Sequence, residues 1–106
     1  MTADDFVKLC YEEKEAILKS YFEEDTNLSV GIMIKKLIQS GTDKEELYRL
    51  IDAILAESYY TMLLGLDGEA SLGGKQIAYK LFDEDGTLLT DCGEIEASAY
   101  DYFMRN

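Results

Sequence analysis

Apolar residues in the first quarter of the chain recur at helical spacing. Phe6, Cys10, Ile17 and Tyr21 fall on one face, with Val7, Lys14, Leu18 and Phe22 beside them and Lys8, Glu12, Glu15 and Lys19 opposite. Residues three and four apart share a helix face, so the pattern predicts an amphipathic helix. Thr2-Ala-Asp-Asp5 supplies its start, a hydroxyl followed three residues later by a carboxylate. The acidic run Glu23-Glu24-Asp25 stands at its end, where it opposes the helix dipole, and fraying is expected there. A shorter helix follows, capped by Asn27 or Ser29. Its apolar stripe is Val30, Met33, Ile34, Leu37 and Ile38, Lys35 and Lys36 point outward, and Gly41 stops it.

Thr42-Asp-Lys-Glu45 has the form of another capping box and opens the longest helix, predicted from Asp43 to about Leu64. In its first half Leu47, Leu50, Ile51, Ile54 and Leu55 are expected to face inward, and Arg49, Asp52 and Glu57 outward. Its second half, from Ser58 to Leu64, is apolar nearly all round, which predicts a helix covered on several sides at the centre of the fold. A strand over Tyr59 to Leu66 is disfavoured by its scarcity of β-branched residues. The glycine-rich stretch Gly65 to Gly74 reads as irregular. Beyond it, Ile77, Tyr79 and Leu81 alternate with Ala78, Lys80 and Phe82 as in a strand, Asp83-Glu-Asp-Gly86 forms a turn, and Leu88 and Leu89 lead back along a second strand. Asp91-Cys-Gly-Glu94 caps a last helix with the stripe Ile95, Ala99, Tyr102 and Phe103. The expected fold class is α+β, a single domain over residues 1–106. Three N-terminal helices with a long central one come first, then a two-stranded β-hairpin and a C-terminal helix. Two strands alone are marginal in water, so the hairpin is expected to lie on the central helix.

Charge changes the picture from fold to partner. Lys and Arg number 10 against 22 Asp and Glu, a formal charge of −12. Such a chain repels phosphates and anionic membrane surfaces, so neither nucleic acid nor membrane is an expected partner. Residues 1–25 are net −5 and residues 66–106 net −6, whereas residues 26–65 are net −1 and the most apolar. No apolar run reaches the ~20 residues of a membrane span. The opening Met1-Thr-Ala-Asp-Asp5 lacks a basic start followed by an apolar stretch, so a cytoplasmic chain with Cys10 and Cys92 reduced is expected.

Candidate chemistry is sparse. The chain has no His, which removes the side chain best suited to proton transfer near neutral pH and any Ser/His or Cys/His pair. Two distant cysteines do not make a structural zinc site. In Gly68-Glu-Ala-Ser-Leu-Gly-Gly-Lys75 the spacing is one residue too long for a phosphate-binding loop, and Gln76 stands where a hydroxyl is needed. Neither register of Asp83-Glu-Asp-Gly-Thr87 supplies a calcium loop. Enzymatic activity is thus not the expected role, and no cofactor or metal is expected.

The expectation that remains is a small acidic protein-binding domain that engages a basic partner. The acidic runs Glu23, Glu24, Asp25 and Asp83, Glu84, Asp85 would supply the charge, and Tyr100, Tyr102 and Phe103 an aromatic contact. One alternative is a structural or regulatory homo-oligomer, such as a homodimer, suggested by a sheet too small to stand alone and the Tyr-rich C-terminus. Another is a small enzyme or ligand binder using Asp67 and Glu69 around the Gly65–Gly74 loop. The stretches Tyr59-Tyr-Thr-Met-Leu-Leu-Gly-Leu-Asp-Gly68 and Tyr79-Lys-Leu-Phe-Asp-Glu-Asp-Gly86 resemble a pattern in small acidic bacterial proteins, some of which are immunity proteins that neutralise the toxins of competitors. The likeness covers the second half of the chain and no functional motif, so it implies binding and assigns no residue a role.

Overall fold

Helices start and stop where local chemistry satisfies their end groups. The computed structural model describes residues 1–105. Helix α1 spans Ala3–Tyr21 and opens on the expected capping box: the Asp5 N–H donates to Thr2 Oγ1 (3.1 Å) and the Thr2 N–H to Asp5 Oδ2 (2.9 Å). Helix α2, Ser29–Gln39, has Leu28 at its N-cap with no side-chain bond, so neither Asn27 nor Ser29 caps it. Its C-terminus is a Schellman motif. The Thr42 N–H reaches the Leu37 carbonyl and the Gly41 N–H the Ile38 carbonyl, with Gly41 at φ 105°, a value that favours glycine. Helix α3, Lys44–Leu66, is capped by Asp43, whose carboxylate accepts from the Glu46 N–H at 3.0 Å; the cap lies one residue beyond the expected Thr42. Helix α4, Glu94–Ala99, widens into a single π-helical segment, Tyr100–Met104, in which the Arg105 N–H donates to the Tyr100 carbonyl five residues back.

The α+β expectation is overturned. Among the described residues there is no β-strand or sheet, only the isolated antiparallel bridges Leu72 with Lys75 and Phe82 with Leu88. The Asp83–Gly86 turn does form, but side chains take the bonds that would have made a ladder. Asp83 N–H donates to the Thr87 carbonyl, whereas the Thr87 N–H turns to Asp83 Oδ1. Leu89 N–H donates to the Leu81 carbonyl, whereas the Leu81 N–H turns to Thr90 Oγ1, and that hydroxyl donates on to the Tyr79 carbonyl. Short polar side chains that capture nearby backbone groups compete with regular structure, and here they hold the segment as a hairpin-shaped loop.

Helices α1 and α3 run antiparallel. Lys14 meets Asp52, and the rings of Phe22 and Tyr48 lie 5.1 Å apart. Around the first half of α1 and the second half of α3 lies the main core: Ala3, Val7, Leu63, Leu89, Ile95, Ala99 and Phe103. Tyr59 stacks on Phe103 (5.8 Å between ring centroids) and Tyr11 meets its edge (5.5 Å). Leu72, from the glycine-rich segment, rests on the bare Cα of Gly65, where a Cβ would run into its side chain.

The other end of the molecule holds only the second half of α1, α2 and the first half of α3. There Leu18, Ile34 and Leu47 are buried, outside the main core. The expected stripes form but are half covered. On α1 the deepest line is Ala3, Val7, Lys14 and Leu18, with Phe6, Cys10, Ile17 and Tyr21 half-buried beside it. On α2 only Ile34 is fully buried and Ile38 half-buried; Val30, Met33 and Leu37 face solvent. On α3, Leu47 is buried and Ile51 and Leu55 are half-buried, but Leu50 and Ile54 are exposed. Helix α3 is therefore long and single, as expected, but not enclosed. Too few elements pack against it.

Candidate functional site

The residues expected to meet a basic partner do not gather in one place. Asp83 accepts from the Met1 amino group (3.3 Å) at the start of α1, and Glu23, Glu24 and Asp25 follow the end of that helix. A 19-residue helix is about 28 Å long, so the two acidic runs sit at opposite ends of α1. Asp83 is also half-buried, and backbone bonds from Thr87 and Asp85 together with the Met1 amine hold its carboxyl below the usual range. Glu84, Asp85, Glu23, Glu24 and Asp25 are exposed. Of the aromatic trio, Tyr100 is exposed, Tyr102 is half-buried against Tyr11 (5.7 Å), and Phe103 belongs to the core at 5% exposure.

What the chain does leave open is apolar. The residues of α3 toward α1, among them Asp52, Tyr59 and Leu63, alternate with an outer face of Arg49, Leu50, Ala53, Ile54, Glu57, Ser58, Thr61 and Met62, every one exposed. Leu50, Ile54, Ser58 and Met62 stand four residues apart on that face, the spacing of one helix ridge. The ridge runs into an apolar groove of about 380 Å³ lined by Cys10, Ser58, Tyr59, Met62, Leu63, Leu66 and Leu72. Met33, Leu37, Val30 and Ile32 form a second open apolar area on α2. Sequence periodicity identified most of these residues as apolar stripe. It assigned them to the core because amphipathicity marks which positions favour burial and not whether this chain holds enough elements to cover them.

The surface total gives the same answer. A compact monomer of 12.0 kDa exposes about 6,000 Å². This chain exposes 7186 Å². Its radius of gyration is 16.2 Å where about 13 Å is typical for the length.

Two charged groups lie inside the fold: Lys14, which the sequence placed beside the apolar face of α1, and Asp67, which it named with Glu69 for the enzyme or ligand-binding alternative. Lys14 is 4% exposed and bridges α1 to α3: Nζ donates to Asp52 (2.7 Å) and to Glu15 (3.1 Å) and lies 5.0 Å over the Tyr11 ring. Burial pulls its pKa down, but the bonds to Asp52 and Glu15 outweigh that and leave it above the ordinary lysine value. Asp67, directly after α3, caps α4 from a distance, since its Oδ2 accepts from the Glu96 N–H at 2.9 Å. No side-chain cap comes from the expected Asp91, and Gly93 is the N-cap residue. Burial, with Glu69 and Glu94 nearby, pushes the Asp67 carboxyl up, and its Oδ1 has no partner. One oxygen of that carboxylate thus serves as a helix cap, and the other is buried and unpaired.

The thiols offer no ready nucleophile. Burial raises Cys10, and exposed Cys92 is raised by its hydrogen bond to Asp91 (3.2 Å). Among the described residues, no three His, Cys, Asp or Glu side chains stand close enough to hold a metal ion, and no helix is long and apolar enough to cross a membrane. Comparison with protein-family models, curated proteins and solved structures finds no match.

Proposed function

We propose that this chain is a protein-binding domain whose contact surface is the outer apolar face of α3 together with the open side of α2. The observation that carries the reading is the unburied apolar stripe itself. Exposed apolar side chains aligned on a helix face commonly mark an interaction site. The residues are presented on helices, with Met33 63% and Leu50 56% exposed, so they are available without rearrangement.

A second reading, an immunity or inhibitor protein gripping a basic partner, draws on the −12 charge and on exposed Glu23, Glu24, Asp25, Glu84 and Asp85. Photo-crosslinking separates the two. A photoreactive residue placed at Met33 or Leu50 is expected to give protein adducts in cells, and the same residue at Glu24 or Glu84 is not. Adducts from the acidic positions alone would favour the second reading. No adduct from any of the four would remove both.

A further inference from the structure

We infer that the occupant of the α3 face is a second copy of this chain, seated antiparallel across a twofold axis. This rests on the apolar-contact reading above and names its partner. Three observations support it. The first is area. The whole chain exposes about 1,200 Å² more than a compact monomer of its mass, and the about 800 Å² that each partner gives up in a stable interface fits within that surplus.

The second is charge. Two chains of −12 repel each other at their ends, but residues 26–65 are net −1. On the outer face of α3 between positions 49 and 62 the only ionised side chains are Arg49 and Glu57. A strongly basic partner would be drawn to the acidic flanks, whereas this face suits a neutral, apolar counterpart. The third is shape. A twofold interface needs a patch complementary to itself. Leu50 and Ile54 project at one end of the ridge, and the groove around Met62, Leu66 and Leu72 opens at the other. A twofold axis near Glu57 sets Leu50 and Ile54 of each copy over the groove of the other, so each contact forms twice. It also brings Glu57 close to its own copy, which makes this side chain the one unfavourable element of the pairing.

Sedimentation equilibrium on the full chain over a wide concentration range tests the inference. The unaltered protein is expected to dimerise. Ile54→Glu, at a site exposed in the monomer, is expected to weaken the dimer by at least ~100-fold, because two charges lose their water per assembly. Glu57→Gln is expected to tighten it several-fold, the opposite of its effect on contact with a basic protein. Circular dichroism of the variants checks that the helices persist.

A protein that stays monomeric at its solubility limit overturns the inference, as does a dimer indifferent to Ile54→Glu. If the chain is monomeric yet crosslinks from Leu50 to some other protein in cells, self-pairing fails while the apolar contact surface stands. If it neither dimerises nor crosslinks from Met33 or Leu50, both fail.

Discussion

The two ends of the molecule are built from similar amphipathic helices and reach different outcomes. At the end that holds α4, five segments converge, and Val7, Ile95 and Ala99 lose all contact with solvent. At the other end two half-helices and the short α2 meet, α2 packs against α1, and Ile34 sinks to 3% exposure while its neighbour Met33 stays 63% exposed. The difference lies in the number of surfaces available to cover each stripe, not in the stripes. A helix with an apolar band wider than one neighbour can cover is stable only if packing elsewhere holds it, or if another molecule completes the cover.

The strongest way to break this comparison is to truncate one residue from each end in dilute, monomeric protein. Phe103→Ala removes a ring held between Tyr11 and Tyr59 and is expected to cost about 3–5 kcal/mol, a large share of the about 5–15 kcal/mol that holds a domain folded. Leu37→Ala, on the open side of α2, is expected to change stability by no more than about 0.5 kcal/mol. Urea unfolding reads both, and equal losses would show that the two ends do not differ as described.

Ile34→Ala sharpens the point within the less-covered end. Its expected cost is about 2–4 kcal/mol, but as local rather than global unfolding. Hydrogen exchange should quicken in α2 and leave the amides around Ile95 unchanged. Uniform loss of protection would mean that the two ends unfold as one unit. Asp52→Ala tests the link between α1 and α3. It strips the shorter of the two ion pairs from Lys14, whose ammonium is nearly buried, and is expected to cost about 1–3 kcal/mol. Because the Lys14 pKa is raised, its pairing contributes in full at neutral pH and fades only as pH climbs through the folded-state value. The variant should therefore differ from the parent less in strong alkali than at pH 7.

How much of this was legible in the sequence follows from the range of each interaction. Local signals read well. Thr2 with Asp5, Gly41 as helix stop and the length of α3 all depend on residues within one or two turns. Signals that compare local with distant partners did not. Alternation at Ile77, Tyr79 and Leu81 predicted a strand, but the outcome turned on whether Thr90 and Asp83 would take the backbone bonds first. The cap of α4 comes from Asp67, 29 positions before Glu96 in the chain, and no spacing rule reaches that far. The candidate surface was half legible. Its residues are the predicted stripes of α2 and α3, and what stayed hidden was the absence of anything to bury them. Phe103 shows the converse, an aromatic chosen for contact that the core claims.

The smallest effect expected is a pH dependence at the better-covered end. Asp67 caps α4 while buried, with Glu69 and Glu94 close by, and its carboxyl is raised above the ordinary aspartate value of 3.8. A carboxyl raised in the folded state binds its proton more tightly there than in the unfolded chain. Its contribution to stability is thus best below 3.8 and declines as pH rises through the folded-state value, where the buried group must ionise. Asp67→Asn keeps an oxygen to accept the Glu96 N–H and cannot ionise. The Tm of the variant minus that of the parent should therefore increase from pH 3 upward and level off once Asp67 is charged, a change of a few degrees. Asp83→Asn should trend otherwise, because the Asp83 carboxyl is lowered: the parent's advantage is present above 3.8 and lost as pH falls. A flat profile for Asp67→Asn would mean that the Asp67 carboxyl is solvated, and the convergence of segments around α4 would then be looser than the burial of Ile95 and Ala99 implies.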